Sequence, residues 1–171
     1  MLAAVAGSSA AVCIMHMQGE PRTMQEAPVY NDVLGEVHLF LSEQVASARQ
    51  AGIAQSRLCL DPGFGFGKTL AHNLSLLAGL ASIRVAELPI LVGLSRKRMI
   101  GTLTGAPVDA RMPGSVAAAL LAAERGADLV RVHDVPETVQ ALQVFESVRA
   151  LDGARGACGS EQVTHSERNQ G

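Results

Sequence analysis

Asp61 closes the apolar run LCL and opens the segment DPGFGFGKT, in which Gly63, Gly65 and Gly67 alternate with Phe64 and Phe66 and lead into Lys68. A carboxylate at the carboxyl end of a buried strand projects where α/β proteins bind their ligands. Its two oxygens can accept two parallel N–H bonds from a heterocycle that bears an amino-amidine edge. An aspartate before a proline can also simply cap a turn, and this segment alone leaves both readings open. The glycines let the backbone lie close to a ligand. Other apolar runs end in His16, in Ser95-Arg96-Lys97 and in Arg131-Val132-His133-Asp134. Four strands with polar ends predict one shared catalytic face.

Arg131 and His133 are two residues apart and share one face of a strand, while Val130 and Val132 share the other. With the valines packed under helices, the two basic groups point inward, beside the N-terminus of the following helix, where N–H groups and the dipole favour an anion. An oxyanion or phosphate site is the leading reading, and an Arg131–Asp134 salt bridge beside a buried histidine is the alternative. Lys97 in LSRKR offers a cation or a donor to a ring oxygen, although such a lysine is ordinarily a solvated surface group. Lys68 reads as a solvated loop lysine.

Two nucleotide-binding readings of the glycine loop fail on counting. A Walker A loop places glycine or alanine five residues before the glycine of GK[ST], and position 62 is proline. A dinucleotide fingerprint requires GxGxxG, whereas Gly63, Gly65 and Gly67 give GxGxG.

Elements able to position these groups fit a single domain. The chain has 171 residues and 48% hydrophobic content, enough for one core. Its 14 basic and 16 acidic residues leave a net charge of −2, with no basic field for nucleic acid or an anionic membrane. Cys13, Cys59 and Cys158 are far apart in sequence and form no CxxC pair, which argues against a zinc site or a disulfide framework. The start lacks a basic n-region, and no apolar run approaches the ~20 residues that span a bilayer. A cytoplasmic protein is expected.

Strand-like and helix-like segments alternate. Strands are predicted at 11–16, 57–61, 89–93 and 128–133. Helices are predicted at 31–51, capped by Asn31 and stopped by Gly52, and near 72–80, 97–104 and 115–126. A last helix opens with Asp134 and Glu137 in capping-box spacing. The alternation implies a parallel α/β sheet with helices outside. After Leu151 the apolar pattern stops, and residues 152–171 are expected to form a mobile tail.

Four segments, MHMQGEPRTMQ (15–25), LDPGFGFGK (60–68), LVGLSRKRMIG (91–101) and PGSVAAALLAAERGADLVRVHDVPETVQ (113–140), closely resemble the bacterial dihydropteroate synthases. The resemblance runs from about residue 3 to about 150, so that 1–151 is assigned to the C-terminal part of a pterin-binding barrel. It implies a (β/α)8 (TIM) barrel that condenses 6-hydroxymethyl-7,8-dihydropterin diphosphate with 4-aminobenzoate, releasing diphosphate, with magnesium assisting. By resemblance, Asp61 anchors the pterin, Lys97 bonds its ring, and Met15 and Arg131 sandwich it. Ser95 lies near the substrates, Phe66 lines the aminobenzoate channel, and Arg131 and His133 form the diphosphate pocket. Lys97, Arg131 and His133 are the expected catalytic groups. Family members are often homodimeric.

Two departures qualify the resemblance. Where many members carry serine beside the aminobenzoate carboxylate, this chain has Arg98, which is expected to pair with that carboxylate. A TIM barrel typically takes ~250 residues. The segments here match four βα units, the family's fifth to eighth strands, with Met1 falling inside a helix of the family fold. The family's metal-binding asparagine belongs to the first strand, so no metal ligand is expected in this chain. The alternative to an enzyme, or part of one, is a truncated, inactive chain that binds pterin or only associates with a partner; self-association is expected of a half barrel with open strand edges.

Overall fold

A computed structural model of the protein describes residues 2–160. Its elements alternate as expected: α1 (Leu2–Ala6), β1 (Val12–Met15), α2 (Val33–Gln50), β2 (Leu58–Asp61), α3 (Leu70–Ala78), β3 (Leu91–Val92), α4 (Arg98–Thr104), α5 (Met112–Glu124), β4 (Leu129–Val130) and α6 (Val135–Ser160). Residues up to Asp134 form one compact unit, and a second begins at Val135. Within the first, β1 pairs in parallel with β2, and β3 in parallel with β4. A parallel bridge from Leu60 to Ile90, with the Leu60 N–H donating to Pro89 O at 2.9 Å, joins the two pairs. The paired strands are shorter than predicted, each beginning one or two residues later.

The sheet is covered by helices through a continuous apolar cluster. Val33, Val37, Leu41, Val45 and Ala48 are the buried positions of α2, a spacing of three and four that places them on one face. They pack in one core with Leu58 and Leu60 of β2, with Leu76, Leu77, Leu80 and Ile83 around α3, and with Ile90 and Val92. Fully burying each valine, leucine or isoleucine side chain contributes about 1.5–3 kcal/mol. This core fixes the sheet and so the direction in which the strand ends project.

Helix starts are set by local polar competition. The cap of α2 is Asp32 rather than the predicted Asn31: its Oδ1 accepts from Leu34 N at 3.1 Å, and Glu36 Oε1 accepts from the N–H groups of both Asn31 and Asp32. Thr69 caps α3 in a reciprocal box with His72, starting that helix two residues earlier than predicted. α5 starts at Met112, with Pro113 in its first turn where a missing N–H costs little. Ser115, the predicted start, instead donates to Arg111 O and accepts from Arg96 N.

α6 continues to Ser160, so the helix runs past Leu151, beyond which the sequence predicts a mobile tail. The remainder of that segment, 161–171, lies outside the described residues. No helix among the described residues is long and apolar enough to cross a membrane.

Candidate active site

Asp61 ends β2 in register with Met15 of β1, and its backbone carbonyl accepts from His16 N at 3.0 Å. The side chain is 6% exposed, and its Oδ1 accepts from Gly63 N at 2.8 Å. Asp61 therefore does cap its turn, and it also faces cations. Burial pushes its carboxyl above the usual range, while the Gly63 N–H and the charges of Lys97, Arg131 and Lys68 pull it back. The charges of three cations thus partly offset the desolvation of one buried carboxylate.

Lys97 extends from the turn after β3 to the glycine loop that follows Asp61. Its ammonium donates to Phe64 O and sits 4.7 Å from the Phe66 ring centroid. Burial lowers its pKa to about 8, Asp61 working against the shift and Arg131 with it. Arg131, next after β4, lies against Gly93, where a Cβ would stand 2.9 Å from its Nη2. A side chain at position 93 would push the guanidinium away from the sheet.

Ser95 and His133 tie the ends of β3 and β4 together: Ser95 Oγ accepts from His133 N at 3.2 Å and lies 2.9 Å from His133 Nδ1. Between Ser95 and Lys97, Arg96 takes a φ of +57°, which a side chain tolerates only when its surroundings hold it. The holders are Asp134, which accepts from Arg96 Nε at 3.1 Å and from Nη2, and Ser115 Oγ, which accepts from Arg96 N at 2.9 Å. The Arg96 guanidinium keeps the Asp134 carboxyl below its usual range. Asp134 thus takes Arg96, not the Arg131 that the sequence offered as its partner.

Beside this cluster opens a cavity of about 620 Å³, lined in part by Phe66, Asn73, Lys97, Arg98 and Thr102. Lys97 links the two regions, since it lines the cavity and also acts on Asp61. Arg98, exposed at the start of α4, stands on the cavity wall apart from the Asp61 cluster. Met15 is 37% exposed on the face that carries Asp61.

Three groups escaped the sequence reading. Lys68, expected in solvent, is 3% exposed and bonded to His16 Nδ1 at 2.8 Å. Asn73 is buried in α3, where its Oδ1 accepts from Gly65 N at 2.7 Å; an asparagine on the apolar side of HNLSLLAGL was the available signal. Cys13 and Cys59, distant in sequence, are register partners, and although Cys13 is exposed at the strand edge, partial desolvation of its thiol with the neighbouring Cys59 thiol pushes it up to about 12. Both are free thiols.

Among the described residues no three His, Cys, Asp or Glu side chains come together to hold a metal ion. Magnesium takes oxygen ligands, and Asp61, the buried carboxylate of this site, has cationic charges rather than further carboxylates acting on it.

Residues 1–133 match the family of pterin binding enzymes. Dihydropteroate synthase of Escherichia coli K12 is 56% identical over 146 residues, covering 85% of this chain and 52% of that protein. The crystal structure of Yersinia pestis dihydropteroate synthase in a sulfonamide drug complex superposes with a TM-score of 0.85 at 49% identity, over 87% of this chain and 54% of the other. That of the Xanthomonas albilineans enzyme with 4-aminobenzoic acid gives 0.81 at 53% identity, over 87% and 53%. The chain spans about half the length of the curated relatives it matches.

Proposed function

The chain belongs to the pterin-binding enzyme family, and from that premise we propose that it carries the pterin- and diphosphate-binding part of a dihydropteroate synthase. The reaction joins the exocyclic carbon of 6-hydroxymethyl-7,8-dihydropterin diphosphate to the amino nitrogen of 4-aminobenzoate. The carbon–oxygen bond breaks, diphosphate leaves with the electron pair, the new carbon–nitrogen bond forms and the amine loses a proton. The observation that carries the reading is the buried carboxylate of Asp61 at the end of β2, with the Lys97 ammonium bonded to the glycine loop that follows it and the charges of Lys97 and Arg131 acting on it.

In this reading the outer oxygen of Asp61 accepts from the pterin's N–H groups, its other oxygen being engaged by Gly63 N. Lys97 donates to the ring oxygen, and Met15 and Arg131 flank the ring. The charge that develops on the departing diphosphate is met by Arg131 and by His133, whose ring is oriented through Ser95. The cavity beside Phe66 receives the aminobenzoate, with Arg98 on its wall as the cation for the carboxylate. These strands correspond to the fifth to eighth of a TIM barrel, and a cytoplasmic setting suits such a biosynthetic enzyme.

Calorimetric titration of the chain with dihydropterin and with its diphosphate tests the reading: the diphosphate is expected to bind more tightly, and no binding of either would sink it. A second reading is a chain that binds pterin without turnover. Assay of diphosphate release with both substrates and magnesium separates the two.

A further inference from the structure

Every carbonyl of the loop from Gly63 to Gly67 accepts from a side chain. Gly63 O and Phe66 O accept from Lys68 Nζ at 3.0 and 3.1 Å, Phe64 O from Lys97, Gly65 O from Gln25 and Gly67 O from the Tyr30 hydroxyl at 3.0 Å. Lys68 is the one that bonds twice, and its third proton goes to His16 Nδ1 at 2.8 Å. An ammonium has three donors, and here all three are used in a place 3% exposed. A buried cation is costly unless fully bonded.

The two loops that Lys68 joins meet backbone to backbone. Gly63 has a φ of +70°, and a Cβ there would overlap the His16 carbonyl; Gly67, at +63°, stands in the same relation to the Gln18 carbonyl. The Lys68 ammonium lies at this contact, bonded to Gly63 O and to His16 Nδ1. From that point the contacts lead straight to the ligand groups: Lys68 holds Gly63 O, Gly63 N holds Asp61 Oδ1, and Phe66, whose carbonyl Lys68 also holds, carries the ring under the Lys97 ammonium.

We propose that Lys68 is a positioning residue of the pterin site, clamping the glycine loop to the segment after β1 through His16 and so fixing Asp61 and Phe66 for substrate. The clamp stands on geometry alone; its consequence for ligand rests on the pterin reading above. Burial and the nearby Lys68 charge hold His16 neutral, with its pKa lowered to about 4, which leaves Nδ1 able to accept.

The test compares the unmodified chain with Lys68→Met, which keeps the length of the side chain and removes its donors. In the ligand-free chain, amide exchange at Gly63 and Phe66 is expected to accelerate at least tenfold while Val37 and Leu41 in α2 keep their rates. The His16 titration, followed by NMR of the ring, is expected to move up from about 4, and dihydropterin binding to weaken about tenfold. Unchanged loop exchange with an unmoved His16 titration would overturn the clamp. Faster exchange with unaltered pterin affinity would overturn the positioning role. If the unmodified chain binds no pterin, the functional reading fails, and the exchange and titration still decide the clamp. Should Lys68→Met not fold, the unmodified chain decides it: a His16 midpoint near the ordinary 6.5 refutes the clamp, and one near 4 with the proton on Nε2 supports it.

Discussion

Ser95 Oγ lies 2.9 Å from His133 Nδ1 and also accepts the His133 backbone N–H at 3.2 Å, so one hydroxyl fastens the histidine at both its backbone and its ring. It joins the end of β3 to the end of β4 across a gap that the sheet's own hydrogen bonds do not reach, since the β3–β4 ladder stops at Val130.

Ser95→Ala is therefore expected to lose about 1–2 kcal/mol of stability, two modest hydrogen bonds that share one hydroxyl. Because the His133 ring is then no longer oriented, affinity for the diphosphate-bearing pterin should fall more than affinity for pterin itself. Urea denaturation measures the first effect and calorimetry the second. Equal losses for the two ligands would show that Ser95 supports the fold and not the anion site.

Asp61→Asn places an amide donor where N–H groups of the ligand must be accepted. A mispaired buried polar contact costs roughly 1–3 kcal/mol, so pterin affinity should drop about tenfold or more. Arg131→Ala should chiefly weaken the diphosphate-bearing substrate. Calorimetry on the two variants with the two ligands gives four numbers, and no loss at Asp61 would refute its assignment.

The polar strand ends were legible because strand and helix periods alternate clearly and glycines punctuate the turns. Asp61, Ser95, Lys97 and Arg131 could be placed on one face from that alone. Lys68 was not legible: its burial depends on positive φ at Gly63, Gly65 and Gly67 and on a histidine 52 residues earlier in the chain. Nor could sequence choose between Asn31 and Asp32 as the cap of α2, because either can cap and the choice rests on which side chain reaches Leu34 N. Arg96 took Asp134 for a similar reason, since its unusual backbone conformation points the guanidinium at that carboxylate.

Among the described residues β1 pairs only with β2, and β4 only with β3. Each leaves one edge of unmatched N–H and C=O groups, and Cys13, Met15 and Leu129 stand exposed on these outer strands. Such edges pair with other chains. Sedimentation of the purified chain should show dimers or larger species that grow with concentration; a compact monomer with a sharp cooperative melt would contradict this.

The pH dependence of stability should carry the signature of His16. Its pKa is lowered in the folded chain from 6.5 to about 4, first by burial and then by Lys68. The unfolded chain therefore takes up the proton first as pH falls. The folded state has its full advantage above the unfolded value and loses it progressively between pH 6.5 and 4. By pH 5 the loss should be about 2 kcal/mol relative to neutral pH. Asp61 acts in the opposite sense: its raised carboxyl pKa means that the folded state gains relative stability as acid neutralises it, which blunts the total slope. His16→Asn removes the titrating ring and keeps an oxygen that can accept from Lys68, leaving the Asp61 contribution in place. Denaturant titrations at about pH 7.5 and 5 should then show a drop in the unmodified chain that exceeds the drop in the variant by about 2 kcal/mol. Parallel pH profiles for the two chains would mean that His16 is charged or solvent-accessible in the folded state, which its 6% exposure and its bond to the Lys68 ammonium oppose.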